Sequence, residues 1–214
     1  MSANQIGVDA TKGANVLNVV FVLGLIIFAI SSAYFYFAGR NKQGFKTAFL
    51  VSFITLISYV LMWQGDLTVV TAAGQSIFWT RWLFYGASCT LLMVEIAQLK
   101  GVQGDELVQL LYLTAIVMFT GFLAARDLGA VRWIHFVISS LAYAILVGRL
   151  LSVQTTGSEW VRSYILFGWT VFPIVFVLAP TGIGLIGAGV ANLLYLALDV
   201  YTKIVFNIQL DRTP

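Results

Sequence analysis

The chain has 214 residues, 60% of them hydrophobic and only 10% charged, with a formal net charge of +3 and a mean hydropathy of +0.92. A soluble globular domain carries about 25% charged residues, so the composition excludes one and points to an integral membrane protein. The small positive charge carries no nucleic-acid signal, and a lone cysteine, Cys89, excludes an intramolecular disulfide.

The amino-terminal run M-S-A-N-Q-I-G-V-D-A-T-K lacks the basic start, short apolar core and cleavage site of a signal peptide. The first apolar stretch, near 16–38, is therefore expected to act as its own insertion signal. Further stretches long enough to cross a bilayer follow near 46–64, 76–98, 106–125, 131–151, 160–179 and 183–210. They predict an all-α membrane protein, a seven-transmembrane-helix bundle filling 1–214 as one domain, in a cell membrane. Arg40, Lys42, Lys46, Lys100, Arg149, Arg162 and Arg212 fall on one side of such a bundle, against Lys12, Arg126 and Arg132 on the other. Seven against three places the N-terminus outside and the C-terminus in the cytoplasm.

In the third stretch Arg81, Phe84, Ser88 and Glu95 are three, four and seven residues apart and share one helical face. Glu95 follows Arg81 by fourteen residues, about 21 Å along a helix axis. His135, near the outer end of the fifth stretch, reads as an interfacial or packing residue rather than a proton carrier. In the sixth, Pro173 should kink the helix and free a backbone carbonyl. The run G-I-G-L-I-G at Gly182, Gly184 and Gly187 imitates a dinucleotide-binding pattern, but that pattern needs a strand before it and a soluble βαβ unit. A tight turn entering the seventh helix is the better account.

The seventh stretch contains L-D-V-Y-T-K-I, with Asp199 and Lys203 one helical turn apart. A charge at bilayer depth costs roughly 2.5–3.5 kcal/mol even on the mildest insertion scale. Arg81, Glu95, Asp199 and Lys203 all lie that deep, and an outside N-terminus arranges them as a file: Arg81, Asp199 with Lys203, then Glu95 toward the cytoplasm. Structural ion pairs would explain any single pair. Proton or ion transfer explains all four on one axis better. A lysine in such a place can also form a Schiff base with a carbonyl compound, with the aspartate as counter-ion.

Over nearly its full length the chain resembles the microbial (type-1) rhodopsins. L-D-V-Y-T-K is similar to the family's retinal-bearing motif, which implies all-trans-retinal bound as a Schiff base to Lys203, with Asp199 as counter-ion. W-T-V-F-P-I-V-F in the sixth stretch resembles the aromatic cage around the polyene, with Trp169, Phe172, Pro173 and Phe176 in register. Tyr85 would pack against the polyene, and Thr120–Gly121 would leave space for the ionone ring. In the family's outward proton pumps the Phe84 position is an aspartate, the Ser88 position usually a threonine, and the Glu95 position a carboxylic proton donor. The combination here of Phe84, Ser88 and Glu95, with Cys89 after the serine, resembles the schizorhodopsins, a group of light-driven inward proton pumps. Cys89 would contact the retinal or Asp199, or simply fill space.

The resemblance implies a photoreceptor-type transporter rather than an enzyme, in a lipid bilayer, commonly as a homotrimer, with no metal or nucleic-acid partner. The carboxylate of Asp199 would favour the charged Schiff base, and Arg81 beneath it would keep Asp199 ionised and a poor proton acceptor. Glu95 would then draw the proton toward the cytoplasm, as acceptor or by its field. Charge placement alone leaves Asp199 open as an external acceptor, and the family resemblance decides for inward transport. A sensory rhodopsin or a light-gated channel would keep the same pocket. A retinal-free small-solute transporter would use Asp199 and Lys203 as a substrate-binding ion pair.

Overall fold

The computed structural model describes residues 3–40, 44–72, 74, 76–153 and 159–211; Lys42 and Arg212, which count toward the orientation, lie outside the described residues. An apolar segment in lipid must satisfy its backbone internally, and a helix does so within one segment. Among the described residues seven helices are long and apolar enough to cross a bilayer. They are α1 (Ala3–Ala38), α2 (Gly44–Gln64), α3 (Thr80–Leu99), α4 (Gly104–Arg126), α5 (Ala130–Ser152), α6 (159–178) and α7 (188–211). Consecutive helices from α1 to α5 pack side by side, while α7 lies against α1, α2 and α6.

The third stretch begins differently from the expectation. Ser76–Phe78, expected to be helical, is a short strand, β2, paired antiparallel with β1 (Thr68–Val70). This hairpin joins α2 to α3, and the hydroxyl of Thr80 donates to the carbonyl of Asp66 at 2.9 Å, fastening the start of α3 to it. Three apolar and hydroxyl residues are too few to show a period, so an apolar run hides the strand. The seventh helix starts at Ala188 rather than near Ile183. The glycines before it form the expected tight turn: Gly184 has φ of 69°, and a Cβ at Gly182 would stand 2.1 Å from the carbonyl oxygen of Val177.

Two helices contain a wide, π-helical turn. In α6 it covers Tyr164–Trp169, between Glu159–Ser163 and Val171–Leu178. Pro173 has no N–H to offer the carbonyl four residues back, that of Trp169, and the wide turn ends there. The irregularity expected from Pro173 therefore lies on its N-terminal side. In α7 the wide turn covers Val200–Val205 and carries Lys203. Such turns free backbone carbonyls and recur at functional sites.

The burial pattern suits lipid. Ile30, Phe119, Phe167 and Leu185 face outward, while Arg81, Asp199 and Lys203 are buried. A contact between α1 and α2 bears on the interior: a Cβ at Gly24 would come within 2.2 Å of the Tyr59 ring. Glycine there makes room for a ring that reaches the centre of the bundle.

Candidate functional site

Asp199 is fully buried and organises the centre. Its Oδ1 accepts from Nζ of Lys203 at 2.7 Å, one turn further along α7. Its Oδ2 accepts from Nη1 of Arg81 at 2.7 Å and from the hydroxyl of Tyr59 at 3.0 Å. Nη1 of Arg81 also reaches the Tyr59 and Tyr85 hydroxyls at 3.1 and 3.3 Å, and Nη2 donates to Oδ1 of Asn192 at 3.0 Å. One carboxylate therefore ties α2, α3 and α7 together and faces two cations. Burying charges costs several kcal/mol per ion unless the geometry is good and the remaining donors are met. The tyrosines and Asn192 meet several of those of Arg81.

Lys203 has two neighbours besides Asp199. Its Nζ stands 4.0 Å from the centroid of the Tyr85 ring, close enough for a cation–π attraction. It also lines a largely apolar cavity, the kind of lining that small-molecule sites carry. Tyr85, Cys89, Gly121, Trp169, Phe172, Pro173 and Phe176 all line it. A Cβ on Gly121 would lie 3.6 Å from the Ser139 hydroxyl and 3.9 Å from the Trp82 ring. The missing side chain is thus part of the cavity's width beside Ser139 and Trp82.

Other expected site residues are placed apart from this cluster. Ser88 is buried, but its hydroxyl donates to the Phe84 carbonyl of its own helix at 3.2 Å. Phe84 is half-buried and brings no polar atom to the ion cluster. Glu95 lies toward the other end of α3, 6% exposed; neither oxygen makes a well-formed hydrogen bond among the described residues, and Thr47 of α2 is the side chain that interacts with it. The file of four charges is therefore a bonded trio and a separate carboxyl group, with Leu92, Ile96, Tyr164 and Phe206 in the core cluster packed at that level. His135 is half-buried beside Asp127, 3.1 Å from Nε2 to Oδ2, far along the chain from the trio.

Three uncharged residues belong to the site and escape a census of charges. Tyr59 and Asn192 complete the shell of Arg81 and Asp199. Asn192 precedes Asp199 by seven residues, two helical turns on one face, and that spacing could have singled it out. The third is Tyr164. Its hydroxyl accepts from the indole N–H of Trp169 at 3.0 Å and donates to the main-chain carbonyl of Thr202 at 2.8 Å. It thus bridges the two wide turns next to Lys203. Tyr164→Phe keeps the ring, stacked 4.3 Å from Phe206, but leaves both partners unpaired. The expected loss is about 1–3 kcal/mol of stability, seen as an earlier midpoint when unfolding is followed by circular dichroism; an unchanged midpoint would show that the bridge contributes nothing.

The family described as "Bacteriorhodopsin-like protein" matches residues 15–211. Cruxrhodopsin-3 of Haloarcula vallismortis is 26% identical over 200 residues, covering 81% of this chain and 78% of that protein. Sensory rhodopsin-2 of Natronomonas pharaonis is 26% identical over 212 residues, covering 91% and 88%. Among solved structures, schizorhodopsin 4 superposes with a TM-score of 0.85 at 34% identity, covering 90% of this chain and 97% of its own. The thermophilic rhodopsin of Rubrobacter xylanophilus, at 20% identity and a TM-score of 0.80, shares the fold.

Proposed function

The chain belongs to the bacteriorhodopsin-like family of microbial rhodopsins, retinal-binding light-driven ion pumps and sensors, and from that premise we propose that it is an inward proton pump. In this reading residues 1–214 form one retinal-binding unit, with the N-terminus outside and the C-terminus in the cytoplasm. The residues fit the group: the cavity is largely apolar, Trp169, Phe172 and Phe176 line it, Gly121 leaves it open, and the primary amine of Lys203 is on its wall. Lys203 would hold all-trans-retinal there as a Schiff base, and the group would supply light absorption and photoisomerisation.

The observation that carries the direction is the engagement of Asp199. Its Oδ1 holds the lysine nitrogen, and its Oδ2 is taken by Arg81 and Tyr59. A carboxylate paired with a guanidinium gains little by accepting a proton. Phe84 stands where an outward pump carries a second carboxylate. On the other side of Lys203, Glu95 is buried, with Thr47 beside it and no well-formed hydrogen bond on either oxygen among the described residues. In this reading Glu95 draws the proton on the nitrogen toward the cytoplasm, as acceptor or by its field, and the site is refilled from outside past Asp199. The likeness to schizorhodopsin 4, together with the pattern of Phe84, Ser88, Cys89 and Glu95, supports the same reading.

The test is the pH of an unbuffered suspension of cells expressing the chain with all-trans-retinal. Illumination is expected to make the medium alkaline, and a protonophore to abolish the change. Acidification would mean that Asp199 accepts the proton and the pump runs outward. A coloured preparation with no pH change would identify a sensor.

A further inference from the structure

At the end of the bundle opposite the hairpin, α1 and α2 leave between them an open groove. Gly39 lets the two helices close there: a Cβ on it would stand 2.7 Å from the Phe35 carbonyl oxygen and 3.3 Å from the Phe45 backbone. Arg40 and Lys46 both line the groove, and no acidic residue does. Among the described residues neither cation has a carboxylate partner in an ion pair. The guanidinium of Arg40 is steadied by rings, 5.6 Å from the centroid of Tyr36 and 5.1 Å from that of Phe37. From there an aromatic run descends along the helices: Tyr36 lies 5.5 Å from Phe49, and Phe49 stacks 5.6 Å from Phe53.

We propose that this groove is a binding site for an anionic phospholipid, its phosphate between Arg40 and Lys46 and an acyl chain along Tyr36, Phe49 and Phe53. Charge complementarity sets the headgroup, since two cations without carboxylate partners at a membrane boundary attract anionic lipid. The exposed aromatic side chains set the rest. Tyr36, Phe37 and Phe53 are 51%, 61% and 43% exposed and lie within the spans Asn15–Ala38 and Phe45–Gln64, where the surroundings are lipid. A soluble anion would satisfy the cations but not the rings. The proposed orientation enters only in assigning the site to the cytoplasmic leaflet.

Native mass spectrometry of the purified, retinal-loaded protein tests it, with phosphatidylglycerol and phosphatidylcholine as probes. The unmodified protein is expected to retain phosphatidylglycerol in preference to phosphatidylcholine. Arg40→Gln with Lys46→Gln is expected to weaken that retention roughly thirtyfold. Arg126→Gln, at the other end of the bundle, is expected to leave it unchanged. Equal retention of the two lipids, an undiminished adduct in the double variant, or displacement by millimolar inorganic phosphate would each overturn the assignment. The visible colour of every preparation reports retinal binding separately, so a failure of the lipid site is distinguishable from a failure of the proposed function.

Discussion

Lys203→Ala is expected to yield a protein that stays colourless when all-trans-retinal is added, whereas the unmodified chain gains a visible absorption band. The reason is chemical: among the described residues that line the cavity, Lys203 carries the one primary amine. The substitution is also gentle on the surrounding charges. Asp199 faces two cations, and removing one leaves Arg81 and Asp199 as a matched buried pair, 2.7 Å apart. Deleting one partner of an isolated buried ion pair costs about 3–5 kcal/mol, but here the aspartate keeps its guanidinium and the Tyr59 hydroxyl. Circular dichroism of the variant is accordingly expected to retain the helical content. A folded, coloured variant would refute the assignment of Lys203, and with it the cofactor's place in the cavity.

Glu95→Gln is expected to separate pigment from transport. Glutamine keeps the size and shape of the side chain but can neither hold the proton nor carry a negative charge. Glu95 lies three turns and more beyond the Arg81 cluster and does not line the cavity, so the absorption band should survive. Inward transport, measured as the initial rate of alkalinisation per mole of pigment, is expected to fall on the order of a hundredfold, the scale of losing a positioned proton-transfer group. A rate equal to that of the unmodified protein would remove Glu95 from the pathway and leave water alone to conduct the proton inward.

Charge is what makes the site legible in the sequence. Ionised side chains are so costly in lipid that Arg81, Glu95, Asp199 and Lys203 announce themselves, and the i, i+4 spacing of Asp199 and Lys203 already implies their contact. Neutral polar residues carry no such signal. Tyr59 and Tyr164 look like ordinary membrane-helix residues until α2, α3, α6 and α7 are brought together, and Asn192 is marked only by its two-turn spacing from Asp199. The spans are legible for the same reason, through length and hydropathy. The hairpin is not, because Ser76–Phe78 continues an apolar run into α3. Nor are the wide turns: one follows from Pro173 only once its position relative to Trp169 is considered, and the other has no proline at all. Ser88 shares the face of Arg81 in the sequence, but which partner its hydroxyl takes, the Phe84 carbonyl of its own helix, is not legible there.

The clasp at Asp199 also has a consequence for how the molecule is made. Arg81 and Asp199 are 118 residues apart in sequence, and a ribosome delivers them in that order. While α4, α5 and α6 are still being synthesised, α3 holds a guanidinium at membrane depth without its carboxylate. An arginine costs roughly 2.5–3.5 kcal/mol at a helix centre and less near a helix end. Arg81 follows the first residue of α3, so its long side chain can extend to the aqueous boundary and lower that cost during the wait. The hydroxyls of Tyr59 and Tyr85, made earlier or alongside, offer provisional partners. Arrival of α7 then supplies the carboxylate that ties three helices together.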